Sequence, residues 1–448
     1  MNPLRLTLLS AAALLSACSL TPVLEQPALP LPARYASGDM AADAQPVSAQ
    51  WWQRFGSAEL DGLIAEALAA NHDLGAALAR IEQSRASARA ARAALLPVVN
   101  GSASATTSLR DGDSRESSDA GLSASWEIDL WGRNAAGAAA ARARFDASRY
   151  NADAVALVLQ GDVASNYFTI LSLKDRLKLT EENRVASAEL LRLVQLRYDN
   201  GAANALELSQ QRNTLYTIEA SLPVLVQSLA QSHHALAVLL GRAPGGFAVA
   251  ASGLAGLKLP VIAADTPASL LVRRPDIRAS ESQLIAANAD IGAARAALLP
   301  SLSLSASAGI DGLITSGSST LLSLAASLSQ TIFNGGRLHA QVQLAEAQKR
   351  ELVESYAQTV LLALRDVEDN LVAVGTSERR SALLTQSTEQ ARLTYQLART
   401  RYEAGADDLL TLLDAQRTRL SSEDNLVQAG LAQQSAAIGL FKALGGGY

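Results

Sequence analysis

Residues after Pro97 and after Pro300 alternate between apolar and small polar side chains, and in each place a second alternating run follows a polar segment. The apolar members of the four runs are Ala103, Ala105 and Leu109; Ala120, Leu122, Ala124, Trp126, Ile128 and Leu130; Leu302, Leu304, Ala306, Ala308 and Ile310; and Leu322, Leu324, Ala326, Leu328 and Ile332. A period of two is typical of a β-strand with one apolar and one polar face. The pattern therefore predicts two hairpins, over about 98–131 and 301–333, with loops at Arg110 to Asp119 and Asp311 to Thr320.

Each predicted strand has about ten residues, the length that a tilted strand needs to cross a bilayer. Alternation of this kind is typical of outer-membrane barrels, although half-buried hairpins of a soluble sheet show it as well. Four strands do not close a barrel, because known barrels begin at about eight strands and lipid does not tolerate an open sheet edge. If the strands span a membrane, several chains must combine them around a lumen. Three chains would supply twelve strands, a number that the pattern alone leaves open.

Most of the remaining chain is predicted to be helical. About 66 residues without proline run from Gly132 to Tyr198 and again from Gly336 to Tyr402, and at about 1.5 Å per residue each helix would reach about 100 Å. A second helix should follow each of these, over about Asn204 to Leu240, with a kink at Pro223, and over about Asp407 to Leu444. The helix from Gly336 to Tyr402 carries apolar residues at the spacing of a coiled-coil seam, namely Val360, Leu364, Val367, Leu371 and Val374. Helices of this length suit a span across the periplasm.

The chain repeats itself at long range. The octapeptide AARAALLP occurs at Ala90 to Pro97 and again, 203 residues later, at Ala293 to Pro300, where it should close a helix that leads into a hairpin. The turn from Arg197 to Gly201 is echoed from Arg401 to Gly405. This period is too long for a solenoid and indicates duplication of a large unit. The expected repeats are 51–260 and 261–448.

The N-terminus has the features of an export signal. Arg5 precedes an apolar run of about fourteen residues, which is shorter than the ~20 of a membrane-spanning helix and typical of a signal peptide. The run ends at Leu15 to Cys18, which resembles the lipobox of bacterial lipoproteins, whose cysteine is lipidated; an ordinary signal peptide with a chance cysteine is the alternative. We expect a signal peptide over 1–17 and a lipidated strap, rich in proline and alanine, over 18–50. Ser19, in the place where aspartate commonly marks inner-membrane retention, fits export to the outer membrane.

Composition excludes several classes of function. The 448 residues are 49% hydrophobic, which is ample for a packed structure, and the net charge of −5 gives no basic surface of the kind that binds nucleic acid. Cys18 is the only cysteine, so disulfides, thiolate catalysis and zinc–sulfur sites are excluded. The four histidines lack ligand spacing, and no nucleotide-binding or nucleophile motif is present. We therefore expect no enzyme, no metal site and no cofactor besides a covalent lipid on Cys18.

Several motifs together resemble those of the TolC-like outer-membrane factors, most closely the NodT-type lipoprotein branch that serves resistance-nodulation-division efflux systems. They are SWEIDLWGR at Ser125 to Arg133, LLVRRPDI at Leu270 to Ile277, IFNGGR at Ile332 to Arg337, and the two Tyr-x-x-Gly turns. The resemblance covers almost the whole mature chain. It implies an α+β membrane protein with long antiparallel helical hairpins in an α-barrel and four transmembrane strands per chain. Three chains would form a 12-stranded β-barrel in the bacterial outer membrane, with the helical tunnel in the periplasm.

The resemblance also implies a periplasmic gate where the second long helix turns into the last one. The residues there are Tyr402, Asp407, Asp408, Leu410, Asp414 and Arg417. Asp414 falls on the position of a carboxylate ring in the family and Leu410 on an apolar constriction, whereas Thr411 replaces a second aspartate of the archetype. Three carboxylates around a narrow axis would favour cations, and ties from Tyr402 or Arg417 to a neighbouring helix would hold a closed state.

Other residues have simpler alternatives. Asp407 and Asp408 could cap the N-terminus of a helix. Arg273, Arg274 and Asp276 are expected at a solvated helix start, with Pro275 in its first turn. The aromatic residues at strand ends could form a girdle at the bilayer edge or simply pack; they are Trp126, Trp131 and Phe333.

By resemblance the protein is a passive exit duct for small molecules such as drugs and toxic compounds. It would work as a homotrimer with a periplasmic adaptor, which is expected to contact the turns around Gly201 and Gly405, and with an inner-membrane resistance-nodulation-division pump. Two alternatives remain open from the sequence: a lipid-anchored structural or adhesive helical protein without a pore, and an exit duct for protein secretion.

Overall fold

The computed structural model describes residues 20–25, 27, 29–37, 47–110, 113–263, 266–312 and 319–447, so the predicted signal peptide and Cys18 lie outside the described residues. The chain forms two compact units. We call Met1–Pro30, Leu78–Asn151 and Asp276–Thr359 the sheet unit, and Leu31–Ala77, Ala152–Pro275 and Val360–Tyr448 the helical unit. Each unit takes segments from both halves of the chain. The predicted repeats therefore do not correspond to separate compact bodies, and the duplication stays a prediction.

The elements follow the same order in both halves of the chain. They are α1 (Ala58–Ala70), α2 (His72–Ala93), β1 (Val98–Arg110), β2 (Asp113–Ile128), α3 (Arg133–Asp199), α4 (Ala205–Leu239), α5 (Leu270–Arg273), α6 (Pro275–Ala296), β3 (Ser301–Asp311), β4 (Ser319–Ser329), α7 (Arg337–Glu403) and α8 (Leu409–Ala443). Short 3-10 helices occupy Trp51–Phe55 and Pro267–Ser269. The predicted strands and long helices are confirmed, with α3 and α7 both 67 residues long. α4 continues through Pro223, and a kink at that residue stays a prediction.

The four strands form one antiparallel sheet in the order β1-β2-β3-β4. The register places apolar residues opposite one another in the pairs of β3 with β2 and β4, as in Ala124↔Ala306 and Ala306↔Leu324. In the pair of β1 with β2 this holds only as far as Ala103↔Ala120, after which Ala105 faces Ser118. Serines occupy the other face, as in Ser123↔Ser307 and Ser307↔Ser323. Because directly paired residues lie on the same face of a sheet, the alternation in the sequence becomes one continuous apolar face and one polar face. β1 and β4 are the edges.

Two predicted boundaries of the hairpins were wrong. The loop expected at Arg110 to Asp119 is mostly strand, because β1 and β2 pair without interruption as far as Arg110↔Asp113. Backbone pairing needs no apolar side chain, so the polar run DSRESS extends β2 although it lacks alternation. The second hairpin ends at Ser329 rather than near 333, since its partner Ser301 follows Pro300, which has no N–H to donate to a longer ladder.

An aromatic core lies in the helical unit, and the sequence patterns did not indicate it. Trp51 is completely buried and stacks on Phe441 with ring centroids 5.0 Å apart, while Phe55 lies 4.9 Å from Phe168. The Trp51 indole N–H donates to Gln160 Oε1 at 3.3 Å, so its polar atom is satisfied. These contacts join the segment before α1 to α3 and α8.

Candidate functional site

The turns that end α3 and α7 have the same construction. Gly201 and Gly405 both adopt a φ of 74°, a left-handed conformation that glycine reaches without steric cost. The N–H groups of Ala202 and Ala406 close the turns by donating to Arg197 O and Arg401 O, each at 2.8 Å. A side chain at either glycine would meet nothing within 4 Å. These glycines therefore serve the turn itself, and contact with an adaptor at the turns stays a prediction.

The helices that follow these turns begin with a side-chain cap. Asn204 accepts from Glu207 N at 3.0 Å, and Asp408 accepts from Thr411 N at 2.9 Å. The latter hydrogen bond lowers the pKa of Asp408. Capping by Asp408 is thus confirmed, but Asp407 does not cap the helix.

Asp407 instead forms an ion pair with the helix that precedes it. Its carboxylate accepts from Nε and Nη2 of Arg401 at 2.7 and 2.9 Å, and these bonds lower the pKa of Asp407. The two neighbouring aspartates therefore have different tasks: Asp407 closes the turn onto α7, and Asp408 starts α8.

Replacing Asn204 by alanine should destabilise the α3–α4 turn by about 1 kcal/mol, because the N–H of Glu207 loses its acceptor. Asn204→Asp keeps a capping oxygen and is the matched control. Thermal unfolding of both variants measures the difference; equal midpoints for Asn204→Ala and the parent would show that the cap contributes nothing.

Tyr402 is buried at the end of α7, within a cluster that joins the tips of four helices. Its apolar neighbours there are Leu190, Val194, Leu208, Leu409, Leu412 and Leu413. The guanidinium of Arg197 lies 4.4 Å from the centroid of the Tyr402 ring and donates to Tyr402 O at 3.1 Å and to Glu403 O at 3.3 Å. Among the described residues the buried Tyr402 hydroxyl has no hydrogen-bond partner. Tyr402 thus ties α3 to α7 within one chain through its ring and its carbonyl.

Leu410, Asp414 and Arg417 lie together on one exposed face of α8. The carboxylate of Asp414 is 4.0 Å from the Arg417 guanidinium, and both side chains are about three-quarters exposed. Between this face and α7 lies an open groove, which Gln390 and Thr394 line from the α7 side. Of the six predicted gate residues, the structure brings these three to one surface, leaves Tyr402 inside, and places Asp407 and Asp408 in the turn.

The aromatic residues at the end of the sheet differ in their surroundings. The indole N–H of Trp126 donates to Leu95 O at 3.0 Å, and that of Trp131 donates to Pro300 O at 2.7 Å. Both indoles therefore fasten the points where a helix passes into a strand. Phe333 is almost fully exposed.

The start of α3 at the same end of the sheet is held by acidic side chains. The carboxylate of Asp129 accepts from Asn134 N and Ala135 N at 3.1 and 2.7 Å, and Glu127 pairs with Arg133 at 2.6 Å. The two bonds to Asp129 satisfy backbone donors in the first turn of α3.

The expectation of a solvated helix start at Arg273 to Asp276 was wrong for Arg274, whose side chain is only 12% exposed. Its Nη1 donates to Ala443 O at 3.1 Å, at the C-terminal end of α8, and its Nη2 lies 3.6 Å from Asp366. A cation there complements the partial negative charge of a helix C-terminus. Arg274 therefore fastens the end of the chain, a role that no local pattern indicated.

The N-terminal strap also makes contacts that its composition did not predict. The N–H groups of Ala36 and Ser37 donate to the carboxylate of Glu368 at 2.6 and 3.0 Å. In the sheet unit, Asn288 donates to Pro22 O at 2.7 Å. The only available signal was indirect: the second half carries Asn288 and Gly292 where the first half carries arginines.

No three side chains with the spacing of metal ligands meet within the described ranges. In the helical unit, Nδ1 of His233 donates a hydrogen bond to Leu229 O at 3.0 Å, and burial lowers the pKa of His233.

Residues 63–242 and 266–446 match the family model described as outer membrane efflux protein. The chain is similar to the pyoverdine export outer membrane protein OpmQ of Pseudomonas aeruginosa, with 38% identity covering 100% of this chain and 98% of that protein. It is also similar to the cation efflux system protein CusC of Escherichia coli, with 33% identity covering 100% of both. The solved structure of the outer-membrane channel OprN matches with a TM-score of 0.88 and 29% identity, covering 96% of this chain and 99% of that one.

Proposed function

Because this chain belongs to the outer membrane efflux protein family, we propose that three copies join their sheets into a twelve-stranded barrel in the outer membrane and their helices into a tunnel through the periplasm. The assembly is the passive exit duct of a tripartite efflux pump. A periplasmic adaptor and an inner-membrane resistance-nodulation-division pump complete it, with the adaptor meeting the turns at Gly201 and Gly405. A lipid on Cys18 anchors each chain, and no cofactor takes part.

The observation that carries the proposal is a sheet with one apolar face and two unpaired edges. Leu322 and Leu324 on the apolar face are 81% and 82% exposed, and β1 and β4 each have one side without a partner strand among the residues that the structure describes. Lipid would cover such a face, but it cannot satisfy the backbone groups of an open edge. Pairing β4 of one copy with β1 of the next removes every edge and encloses a lumen lined by the serine face.

The exposed face of α8 supports a gate in the same assembly. Three copies would bring three Asp414 carboxylates and three Leu410 side chains around one axis, and Arg417 would be available to pair with a neighbouring copy. The pair of Asp414 with Arg417 is long, at 4.0 Å, so it costs little to break. Tyr402 acts inside the chain by holding α7 to α3, while Asp407 and Asp408 fix the turn from which α8 starts.

The cargo is a small molecule. The relatives described above are named for the export of pyoverdine and for cation efflux, so small cargoes of both kinds occur among them. Protein secretion is the competing function within the channel class, and identification of the partner pump separates the two.

Purified protein in planar bilayers should produce discrete single-channel currents, and its mass in detergent should equal that of three chains. A monomeric protein without conductance would contradict the proposal and favour the lipid-anchored structural protein. A well-folded trimer without conductance would keep the channel only if Tyr402→Leu, which removes the ring that Arg197 contacts, or Arg417→Ala opens it. If these variants do not conduct either, the pore is rejected.

A further inference from the structure

An arginine stripe runs along α2 toward the sheet. Arg85, Arg89 and Arg92 are spaced by four and three residues and therefore share one helix face. All three are exposed, and none of them has a carboxylate partner in the part of the chain that the structure describes. The guanidinium of Arg85 lies 5.6 Å from the ring centroid of Phe145 on α3, which orients it without neutralising it. The arginine stripe is thus an unneutralised positive surface.

The matching face of α6 is occupied by the chain itself. Arg89 stands eight residues before Pro97, and Gly292 stands eight residues before Pro300. A Cβ built on Gly292 would lie only 2.1 Å from Thr21 Oγ1, so any larger residue would displace the strap. The two helices therefore differ at this position. On α6, Gly292 leaves room for the strap, whereas on α2 the matching residue is Arg89, which has no carboxylate partner among the described residues.

The other two positions of this face differ in the same sense. Asn288, which matches Arg85, binds the strap through Pro22 O, and Lys349 donates to its Oδ1 at 2.8 Å. Arg295, which matches Arg92, is neutralised by Glu346 at 2.7 Å. At the three positions that match the arginine stripe, the second half of the chain thus has no row of unpaired basic side chains.

The strap limits the distance between the α6 surface at Gly292 and the lipid proposed on Cys18. Thr21 follows Cys18 by three residues, which span at most about 11 Å even when fully extended. If Cys18 carries acyl chains, their attachment point lies within about that distance of Thr21, which itself lies against the α6 surface at Gly292. The strands that follow α2 and α6 begin at the same end of the sheet, since Val98 pairs with Ser125 and Leu302 with Ile128. Arg89 therefore lies at a depth relative to the sheet that is comparable to that of Gly292.

We propose that the arginine stripe binds the phosphates of anionic phospholipids in the leaflet that faces the periplasm. The inference rests on the proposed outer-membrane barrel. Guanidinium groups form paired hydrogen bonds to phosphate oxygens, and clusters of arginine near a membrane surface bind anionic headgroups. Exposed apolar residues adjoin the stripe on the side of the sheet, at Leu96, Val98 and Val99, where acyl chains would lie. Each chain is thus held at the membrane surface at two places, by its own lipid beside α6 and by bound lipid beside α2.

Native mass spectrometry of detergent-purified trimers tests the proposal. Parent protein would be titrated with dioleoylphosphatidylglycerol and separately with dioleoylphosphatidylethanolamine, and the retained lipids counted. We expect a clear preference for the anionic lipid that falls about tenfold in the double variant Arg89→Gln/Arg92→Gln. The control Arg379→Gln/Arg380→Gln makes the same charge change on exposed arginines far along α7 and should keep the preference. Raising the salt concentration should weaken the preference of the parent without any substitution.

Several outcomes would overturn the proposal. The proposal fails if the double variant keeps the parent's preference for the anionic lipid, or if the control variant loses that preference equally. It also fails if salt does not change the preference of the parent. Dissociation of the double variant into monomers that retain the parent's lipid preference would assign the arginine stripe to subunit contact instead. Conductance of the same preparations judges the proposed function separately, because a conducting parent that does not prefer anionic lipid rejects only the lipid site.

Discussion

Asp414→Asn is expected to lower the preference of the channel for cations over anions about tenfold, because in the proposed trimer three charges disappear at once from the proposed gate. The substitution keeps the size of the side chain and therefore separates charge from space. The Asp414 side chain is 74% exposed within one chain, so its removal should leave folding of the protomer unchanged. Reversal potentials in a salt gradient, measured on single channels, give the preference directly.

Asp369 provides a matched control for this experiment. Its side chain is 73% exposed, and an arginine of the same helix, Arg365, lies 3.8 Å away, so its surroundings within one chain resemble those of Asp414. Asp369→Asn should leave ion preference near that of the parent if selectivity resides at the gate. Equal effects of the two substitutions would mean that the charge of the whole tunnel sets selectivity, and no effect of either would remove Asp414 from the conduction path. The difference between the variants should also shrink as salt rises, since the charges face water.

The elements of this fold could be predicted from the sequence where a local period determines them. Alternation of apolar and polar residues predicted each strand, and the long intervals without proline predicted α3 and α7. The pairing of β2 with β3 could not be predicted in this way, because it joins residues about 180 positions apart, such as Trp126 and Leu304. The extra length of β2 was also missed, since Asp113 to Ser118 pair through backbone groups that leave no mark on side-chain pattern.

The candidate site shows the same limit in its charged residues. Sequence position made Asp407 and Asp408 equally good helix caps, but only Asp408 reaches Thr411 N, because Arg401 holds Asp407. Arg274 looked like part of a solvated helix start, but its side chain donates to Ala443 O at 3.1 Å, and a Cβ on Gly445 would be 3.3 Å from Arg274 N. Such contacts between distant segments decide which charge is buried, and neither spacing nor composition encodes them locally.

Gly241→Ala should destabilise the protein by about 3 kcal/mol or more. Gly241 lies two residues after the end of α4 and has a φ of 70°. An added Cβ would lie 2.4 Å from Ala70 O and 3.0 Å from Ala70 C. Both atoms belong to the backbone, so no rotation of a side chain relieves the contact. The junction is held on both sides, since Asn71 donates to Leu239 O at 3.0 Å and Arg242 pairs with Glu66. The turn must therefore move away from α1 or the φ must change.

Gly201→Ala separates the two causes of that loss. Its φ of 74° imposes the same conformational cost on alanine, about 1–2 kcal/mol, but a side chain there meets nothing within 4 Å. Thermal unfolding of detergent-solubilised protein should therefore show a small decrease in Tm for Gly201→Ala and a much larger one for Gly241→Ala. Equal decreases would mean that backbone conformation alone limits both positions and that the α1 junction adapts. A larger decrease for Gly241→Ala would identify the close approach of α1 to the end of α4 as a constraint that admits only glycine, although the sequence gives the two turn glycines no distinguishing mark.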